Sequence, residues 1–330
     1  MGDKALKTAF MGSPGFAVPA LEALCRAGHR IVCVATQPDR PRGRGGKVLP
    51  TPVSAYAEQN GLPVLKPERL AGNADFARAL AEAGPDLIVV AAYGKILPKS
   101  LLGLPALGCV NIHASLLPEY RGAAPVQRAI LDGKRETGVT LMYMAEELDK
   151  GDMIATARTD VSDLNAGELT DVLARLGAGL LMDMIPLLAA GTAPRIPQDE
   201  SKATYAEKVS KAEGHIDLRE SACEAARRVR AMTPAPGAFV HNGDERIVVT
   251  EARAMGPEEW LAFAGAGGRL PAAYGDAGPG TVLAISKDGI GIRTGDGVLL
   301  VEALKAPGRK AMPVREYIKG NAFGTERPLT

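Results

Sequence analysis

At 330 residues the chain is long enough for two domains, since a single hydrophobic core stops growing at about 250–300 residues, and its 46% hydrophobic content is that of an ordinary globular protein. A formal net charge of +1 excludes capture of a polyanion by the overall field, so any nucleic-acid contact has to come from local patches. Cys25, Cys33, Cys109 and Cys223 show no metal spacing and read as reduced thiols, and no run approaches about 20 uninterrupted apolar residues, so a cytoplasmic chain without membrane contact is expected.

Lys7–Met11 reads as a first strand, closed by Gly12-Ser13-Pro14-Gly15 and followed by an amphipathic helix through Leu21 and Leu24. The turn has part of a dinucleotide fingerprint but lacks its third glycine, and Pro14 removes an N–H that a phosphate would need. A tight β–α turn beside a site is the better reading. Ile31–Thr36 is a second strand, apolar throughout, as a parallel strand covered on both faces should be. Gln37–Lys47 then sets Arg40, Arg42, Arg44 and Lys47 among prolines and glycines. It reads as an irregular loop, either a solvated surface or a finger for phosphates, because the guanidinium fork matches phosphate geometry.

Ser54–Asn60 and Asn73–Glu82 read as helices around a short strand at Val64, and Asp86–Ala92 as another apolar strand ending in Tyr93–Pro98. Strands alternating with helices predict a parallel, doubly wound sheet. The fourth strand opens the stretch Cys109–Gly122. Val110 and Ile112 fall on one face of it, Asn111 and His113 on the other. A lone His at a strand end is commonly a hydrogen-bonded structural residue. Here it stands beside an amide where the strand stops, and together they suit a site that holds an oxyanion and moves a proton. Ala123–Leu131 is the helix behind. Val139–Met144 is a further strand, delivering Ala145–Asp152, where four acids in eight residues leave open which one faces His113.

Leu169–Leu188 reads as an amphipathic helix closing a first domain at about 190, and residues 191–207 as a linker. Arg227, Arg228 and Arg230 on a helix at Glu220–Met232 face either solvent or RNA. Short apolar runs at Ala238–Val240, Arg246–Thr250, Thr281–Ile285, Gly289–Arg293 and Val298–Ala303 predict a small antiparallel barrel of the OB kind in residues 208–330, with Pro257–Pro279 as an irregular insertion.

The run NIHASLLPEYRGAAPVQRAI, Asn111–Ile130, closely resembles the signature of the folate-dependent formyltransferases, whose fold is a Rossmann-like α/β domain followed by a β-barrel. The resemblance is strong to about Asp152 and looser beyond, where YAEKVSKAEGHIDL matches the interdomain region and Pro234-Ala235-Pro236-Gly237-Ala238 lacks the family's aromatic residue. It implies transfer of a formyl group from 10-formyltetrahydrofolate to an amine, with no metal. Asn111 and His113 would be catalytic, and the family's Leu-Asp-x-Gly-Asp pattern maps the catalytic carboxylate onto Asp149. Ser115, Leu116, Leu117 and Pro118 would lie along the folate, and the strand end with Ile96 and Leu97 against its pterin. Glu147 stands where the family commonly has Gly. The basic loop is similar to the insertion by which members acting on initiator methionyl-tRNA grip the acceptor stem, with Arg40, Arg42, Arg44 and Lys47 as its cations. A monomer acting on that tRNA is the expectation. The alternatives are transfer to an amino sugar or other small amine, and a non-catalytic RNA-binding protein.

Overall fold

Apolar runs of five to eight residues, too short for buried helices, build the first sheet. The computed structural model describes residues 5–42, 46–265, 277–320, 323 and 328–330. In chain order β1 (Lys7–Gly12) leads into α1 (Val18–Arg26) and β2 (Arg30–Ala35), then β3 (Arg40–Arg42), β4 (Lys47–Leu49), α2 (Pro52–Gln59) and β5 (Val64–Leu65). There follow α3 (Ala74–Ala83), β6 (Leu87–Ala91), α4 (Lys99–Leu102), β7 (Cys109–His113), β8 (Arg121–Gly122) and α5 (Pro125–Leu131). The antiparallel β9 (Glu136–Tyr143) and β10 (Met153–Asp160), the long α6 (Ala166–Ala189) and β11 (Tyr205–Ala206) come next. Helix starts follow local chemistry. The Thr51 hydroxyl accepts from Ser54 N–H ahead of α2, and Asn73 Oδ1 accepts from Phe76 N–H ahead of α3.

The main sheet has the order β10-β9-β7-β6-β1-β2-β5. β1, β2, β5, β6 and β7 run parallel, and β9 joins β7 antiparallel. The doubly wound α/β sheet is therefore present, with an antiparallel pair at one edge. β6 is buried along its whole length, whereas β10 alternates, with its outward residues exposed as an antiparallel edge allows. At the β1 turn a Cβ on Gly12 would meet Ala17 Cβ at 2.7 Å and Ala91 O at 2.9 Å, so this glycine serves close packing of turn against sheet.

Three expectations change. The segment expected as an irregular loop holds a hairpin: β3 pairs antiparallel with β4, Arg40 opposite Leu49 and Arg42 opposite Lys47. The ladder gives an otherwise unburied stretch its backbone partners. Residues 191–207 do not behave as a linker. Met153 and Ile196 exchange backbone hydrogen bonds of 2.8 and 2.9 Å, and β11 pairs in parallel with β8. Finally, the expected irregular insertion begins with a helix, α8 (Pro257–Gly265), anchored by buried Trp260.

The chain divides into two compact units: Met1–Pro125, Glu136–Asp160 and Thr170–Glu207 in the first, Val126–Arg135, Val161–Leu169 and Lys208–Thr330 in the second. Residues 191–207 belong to the first unit, and two early segments group with the later one, whose main stretch begins at Lys208. α6 is the one helix among the described residues long and apolar enough to cross a membrane. Its buried residues, among them Leu169, Leu173, Leu181, Ile185 and Leu188, recur at helical spacing, while Asp171, Arg175 and Asp183 are exposed. That is the stripe of a core helix.

The second unit contains α7 (Ala222–Met232), β12 (Ala238–Asn242), β13 (Glu245–Met255), α8, β14 (Val282–Ser286), β15 (Gly289–Arg293), β16 (Val298–Lys305), β17 (Met312–Pro313) and α9 (Val314–Tyr317). α7 starts with a capping box between Ser221 and Glu224. The strands form an antiparallel sheet in the order β12-β13-β16-β15-β14, with β17 beside β16. All five predicted apolar runs are strands of it. Leu329 and Thr330 bridge its two edge strands. Thr330 exchanges backbone hydrogen bonds with His241 of β12, and Leu329 N–H donates at 2.8 Å to Gly280 O, two residues ahead of β14.

Candidate active site

β7 ends at His113, and the chain then folds back on that residue. Ser115 Oγ donates to Glu119 O at 2.6 Å, and Tyr120 takes a left-handed conformation, φ 59°. Its carbonyl therefore faces the imidazole, 2.9 Å from His113 Nε2. A carbonyl oxygen only accepts, so Nε2 carries the proton and Nδ1 is the ring atom left for chemistry. Nδ1 faces Asp149 Oδ1 at 3.8 Å, with both side chains almost wholly buried. That distance is electrostatic contact rather than a hydrogen bond. The imidazole is thus oriented by Tyr120, while the Asp149 carboxylate lies beside Nδ1. Asn111 lies two residues earlier on the same face. Among the described residues its amide makes no hydrogen bond, so its donors remain available to a ligand.

Asp149 is singled out from the four acids by position. Glu146 pairs with Lys99 and Glu147 with Lys150, both exposed, and Asp152 faces Arg195. Asp149 alone turns inward, where Gly122 N–H donates to its Oδ2 at 2.9 Å. It also holds a left-handed conformation, φ 54°, whereas Glu147 does not. The departure at Glu147 therefore leaves no strain at that residue. Gly151 lets the loop close, since a Cβ there would lie 1.8 Å from Tyr143 O.

The expected folate contacts divide by exposure. Ile96 is 72% exposed, and Leu148 on the Asp149 loop is 59% exposed. Leu116 and Pro118 are half-buried. Ser115, Leu117 and Leu97 are buried, and the Ser115 hydroxyl is spent on Glu119 O, so these three reach a ligand only through backbone. Thr140 Oγ1 fixes the turn from beneath, donating to Ser115 O at 2.7 Å and accepting from Leu117 N–H at 3.1 Å. Among the described residues no group of His, Cys, Asp and Glu is placed to hold a metal ion.

Sequence reasoning missed the groups that hold the Asp149 loop. Gln198 Nε2 donates to Asp149 O and to Gly151 O, each at 2.8 Å. Gln198 Oε1 accepts from Arg121, whose side chain is fully buried and also forks onto the Glu200 carboxylate at 2.7 and 3.0 Å. These bonds raise the Arg121 pKa and hold the Glu200 carboxyl below its usual range. A buried arginine demands an acid, but a separation of 79 residues hides which acid it is.

Of the expected RNA contacts, Arg40 is exposed, Arg42 and Lys47 are placed by their backbone pairing, and Arg44 lies outside the described residues. The α7 arginines are spent within the second unit. Arg227 Nε donates to Leu131 O, Arg228 forks onto Glu220, and Arg230 donates to Ser162 O near Asp163.

A family profile described as formyl transferase matches residues 6–185, and one for the formyl transferase C-terminal domain matches 208–322. The chain belongs to the formyl transferase family. A relative from Halorhodospira halophila named "Methionyl-tRNA formyltransferase" is 45% identical over 329 residues, 98% of this chain and 99% of that one. Another of the same name, from Moorella thermoacetica, is 44% identical over 316 residues, 96% of each chain. Formyl transferase folds also recur among solved structures. WlaRD, a sugar 3N-formyl transferase, matches with TM-score 0.64 at 15% identity over 93% of this chain and 100% of that one. HypX from Aquifex aeolicus, in complex with tetrahydrofolic acid, matches at 0.62 and 17% identity over 96% of this chain and 47% of that one. At these identities the structures speak for the fold.

Proposed function

We infer that this formyl transferase transfers the formyl group of 10-formyltetrahydrofolate to the amino group of initiator methionyl-tRNA. The observation that carries the chemistry is His113 Nδ1 facing the Asp149 carboxylate at 3.8 Å, with the Asn111 amide two residues earlier on the same strand face. Near end-to-end similarity to relatives named for methionyl-tRNA supports the acceptor. The folate supplies an activated formyl group on N10. Ile96, Leu116, Pro118 and the backbone of Ser115 and Leu117 would hold it, and the exposed apolar side chains Ile96 and Leu148 suit a flat heterocycle.

The acceptor amine is itself the nucleophile, so no covalent enzyme group is needed. As its nitrogen bonds to the formyl carbon, negative charge grows on the formyl oxygen. The Asn111 amide donates to that oxygen. His113 Nδ1 takes the proton leaving the amine, and the Asp149 carboxylate stabilises the resulting imidazolium. The same proton passes to N10 as its bond to the formyl carbon breaks. Proton and charge then balance.

The test is formyl transfer from 10-formyltetrahydrofolate with initiator methionyl-tRNA, with a nucleotide-linked amino sugar, and without acceptor. Transfer to the tRNA at a kcat/KM at least a hundredfold above the sugar supports the reading. Preference for the sugar replaces the acceptor, and no transfer to either removes the activity.

A further inference from the structure

We propose that Gln198 is a positioning residue for catalysis, clamping the Asp149 loop in its working geometry through Arg121 and Glu200. This rests on the formyl-transfer reading above and adds to it the means by which Asp149 is held.

Three observations converge. Asp149 occupies a left-handed backbone conformation, φ 54°, which costs a residue other than glycine of order 1 kcal/mol and persists only when its surroundings impose it. The surroundings that impose it are few. Glu146, Glu147 and Leu148 before it are exposed, and Lys150 after it is half-exposed. The loop's own side chains therefore give it no core. Instead one primary amide binds two of its carbonyls, at Asp149 and Gly151, both at 2.8 Å. A single side chain thus fixes the backbone on both sides of the strained peptide.

The amide is itself oriented. Its Oε1 accepts from both Nε and an Nη of Arg121, at 3.0 and 2.7 Å. That assigns Nε2 to the loop, because an arginine offers only donors. Arg121 cannot turn away, being fully buried and forked onto Glu200. Its own peptide is anchored as well, with Arg121 N–H donating to Thr204 O at 2.9 Å. Asp149 is then held at two points. Gly122 N–H, next in sequence to Arg121, binds its carboxylate, and Gln198 binds its backbone. Losing the Gln198 point leaves the carboxylate tethered but free to pivot from Nδ1. A misplacement of about 1 Å can cost about 100-fold in rate.

The experiment compares full-length parent, Gln198→Glu, Asp149→Asn and the double variant in steady-state formylation, with thermal melting of each. Gln198→Glu keeps acceptors for Arg121 but aims a carboxylate at two carbonyl oxygens. The expected result is a 10–100-fold loss of kcat, KM values for both substrates within about threefold, and a melt showing folded protein. In the Asp149→Asn background the same substitution should cost no more than about twofold, since both act through one group. Independent, multiplying losses would overturn the proposal, as would Gln198→Glu with near-parent kcat. Should Gln198→Glu fail to fold, Glu200→Gln takes its place, loosening the clamp from its exposed end. A few-fold kcat loss that vanishes in the Asp149→Asn background supports the clamp, and an undiminished loss there refutes it. If Asp149→Asn itself retains full turnover, the formyl-transfer assignment of Asp149 fails first, which keeps the two failures distinct.

Discussion

Arg121 and the three arginines of α7 carry the same side chain and do different work in the molecule. Arg121 in the first unit is fully buried, divides its donors between Gln198 and Glu200, and through Gln198 reaches the backbone of the Asp149 loop. Arg227, Arg228 and Arg230 in the second unit bind a carbonyl of α5, the Glu220 carboxylate and a carbonyl at Ser162. The first reaches a left-handed backbone position beside His113. The second stitches α7 to the early segments that group with its unit. Guanidinium chemistry is identical in both, so what an arginine does is decided by what lies at the other end of its fork.

The largest effect belongs to the imidazole itself. His113→Ala should lower kcat by about 100–10,000-fold, the usual contribution of a positioned general acid–base group. Equilibrium folate binding should barely change, since the candidate folate contacts lie on other side chains. Turnover and a folate binding isotherm measure the two, and near-parent turnover would end the assignment.

Next come the two arginine sets, tested against each other. Arg121→Met removes the four hydrogen bonds to Gln198 and Glu200 at once. Glu200 is 62% exposed and can return to water, so the stability loss should stay near 1–3 kcal/mol rather than the larger cost of stranding a buried charge. The kcat should nevertheless drop 10-fold or more. Arg228→Met should cost about 1 kcal/mol and leave kcat alone. Denaturant melts alongside kcat decide it; a matching kcat loss for Arg228→Met would erase the contrast.

A smaller effect separates both sets from the β3–β4 hairpin. Arg42→Ala should raise the KM for methionyl-tRNA several-fold and flatten its log–log salt slope by somewhat under one unit. Arg227→Ala and Arg230→Ala should leave that slope unchanged, their cations being internally partnered. Equal slopes for all three variants would make the hairpin ordinary surface.

The smallest effect is a pH dependence. The Arg121 fork lowers the Glu200 pKa from its ordinary value of 4.5, so its contribution to stability is complete above about pH 4.5 and disappears as pH falls through the lowered value. Glu200→Gln should therefore destabilise the protein at neutral pH and make little difference in strong acid. Melting temperatures between pH 3 and 7 would show the two curves converging at the acid end.

Most of the first sheet was legible because continuous apolar runs and their spacing report burial directly. That Asn111 and His113 share one face of β7 was legible for a related reason, since side chains alternate along a strand. The hidden parts depend on pairings between distant residues. Nothing local announces that Gln198 meets Asp149, or that Tyr120 presents a carbonyl to Nε2 and so leaves Nδ1 toward Asp149. Residues 191–207 looked like a linker because their prolines and polar residues lack periodicity, yet their backbone groups find partners along Met153 and Arg121. The arginines of α7 looked available for the same reason that Arg121 looked unremarkable, since sequence displays a charge and conceals its partner.

The left-handed backbone at Asp149 sets durability against activity at one residue. Asparagine is among the side chains that accept this conformation most readily, and it keeps an oxygen to receive the Gly122 N–H. Asp149→Asn should therefore melt at or slightly above the parent temperature while losing most of its turnover. A search that selected only for heat resistance would be free to drift to asparagine here and discard the enzyme. On the role proposed for Asp149, chemistry rather than stability favours the acid at this site.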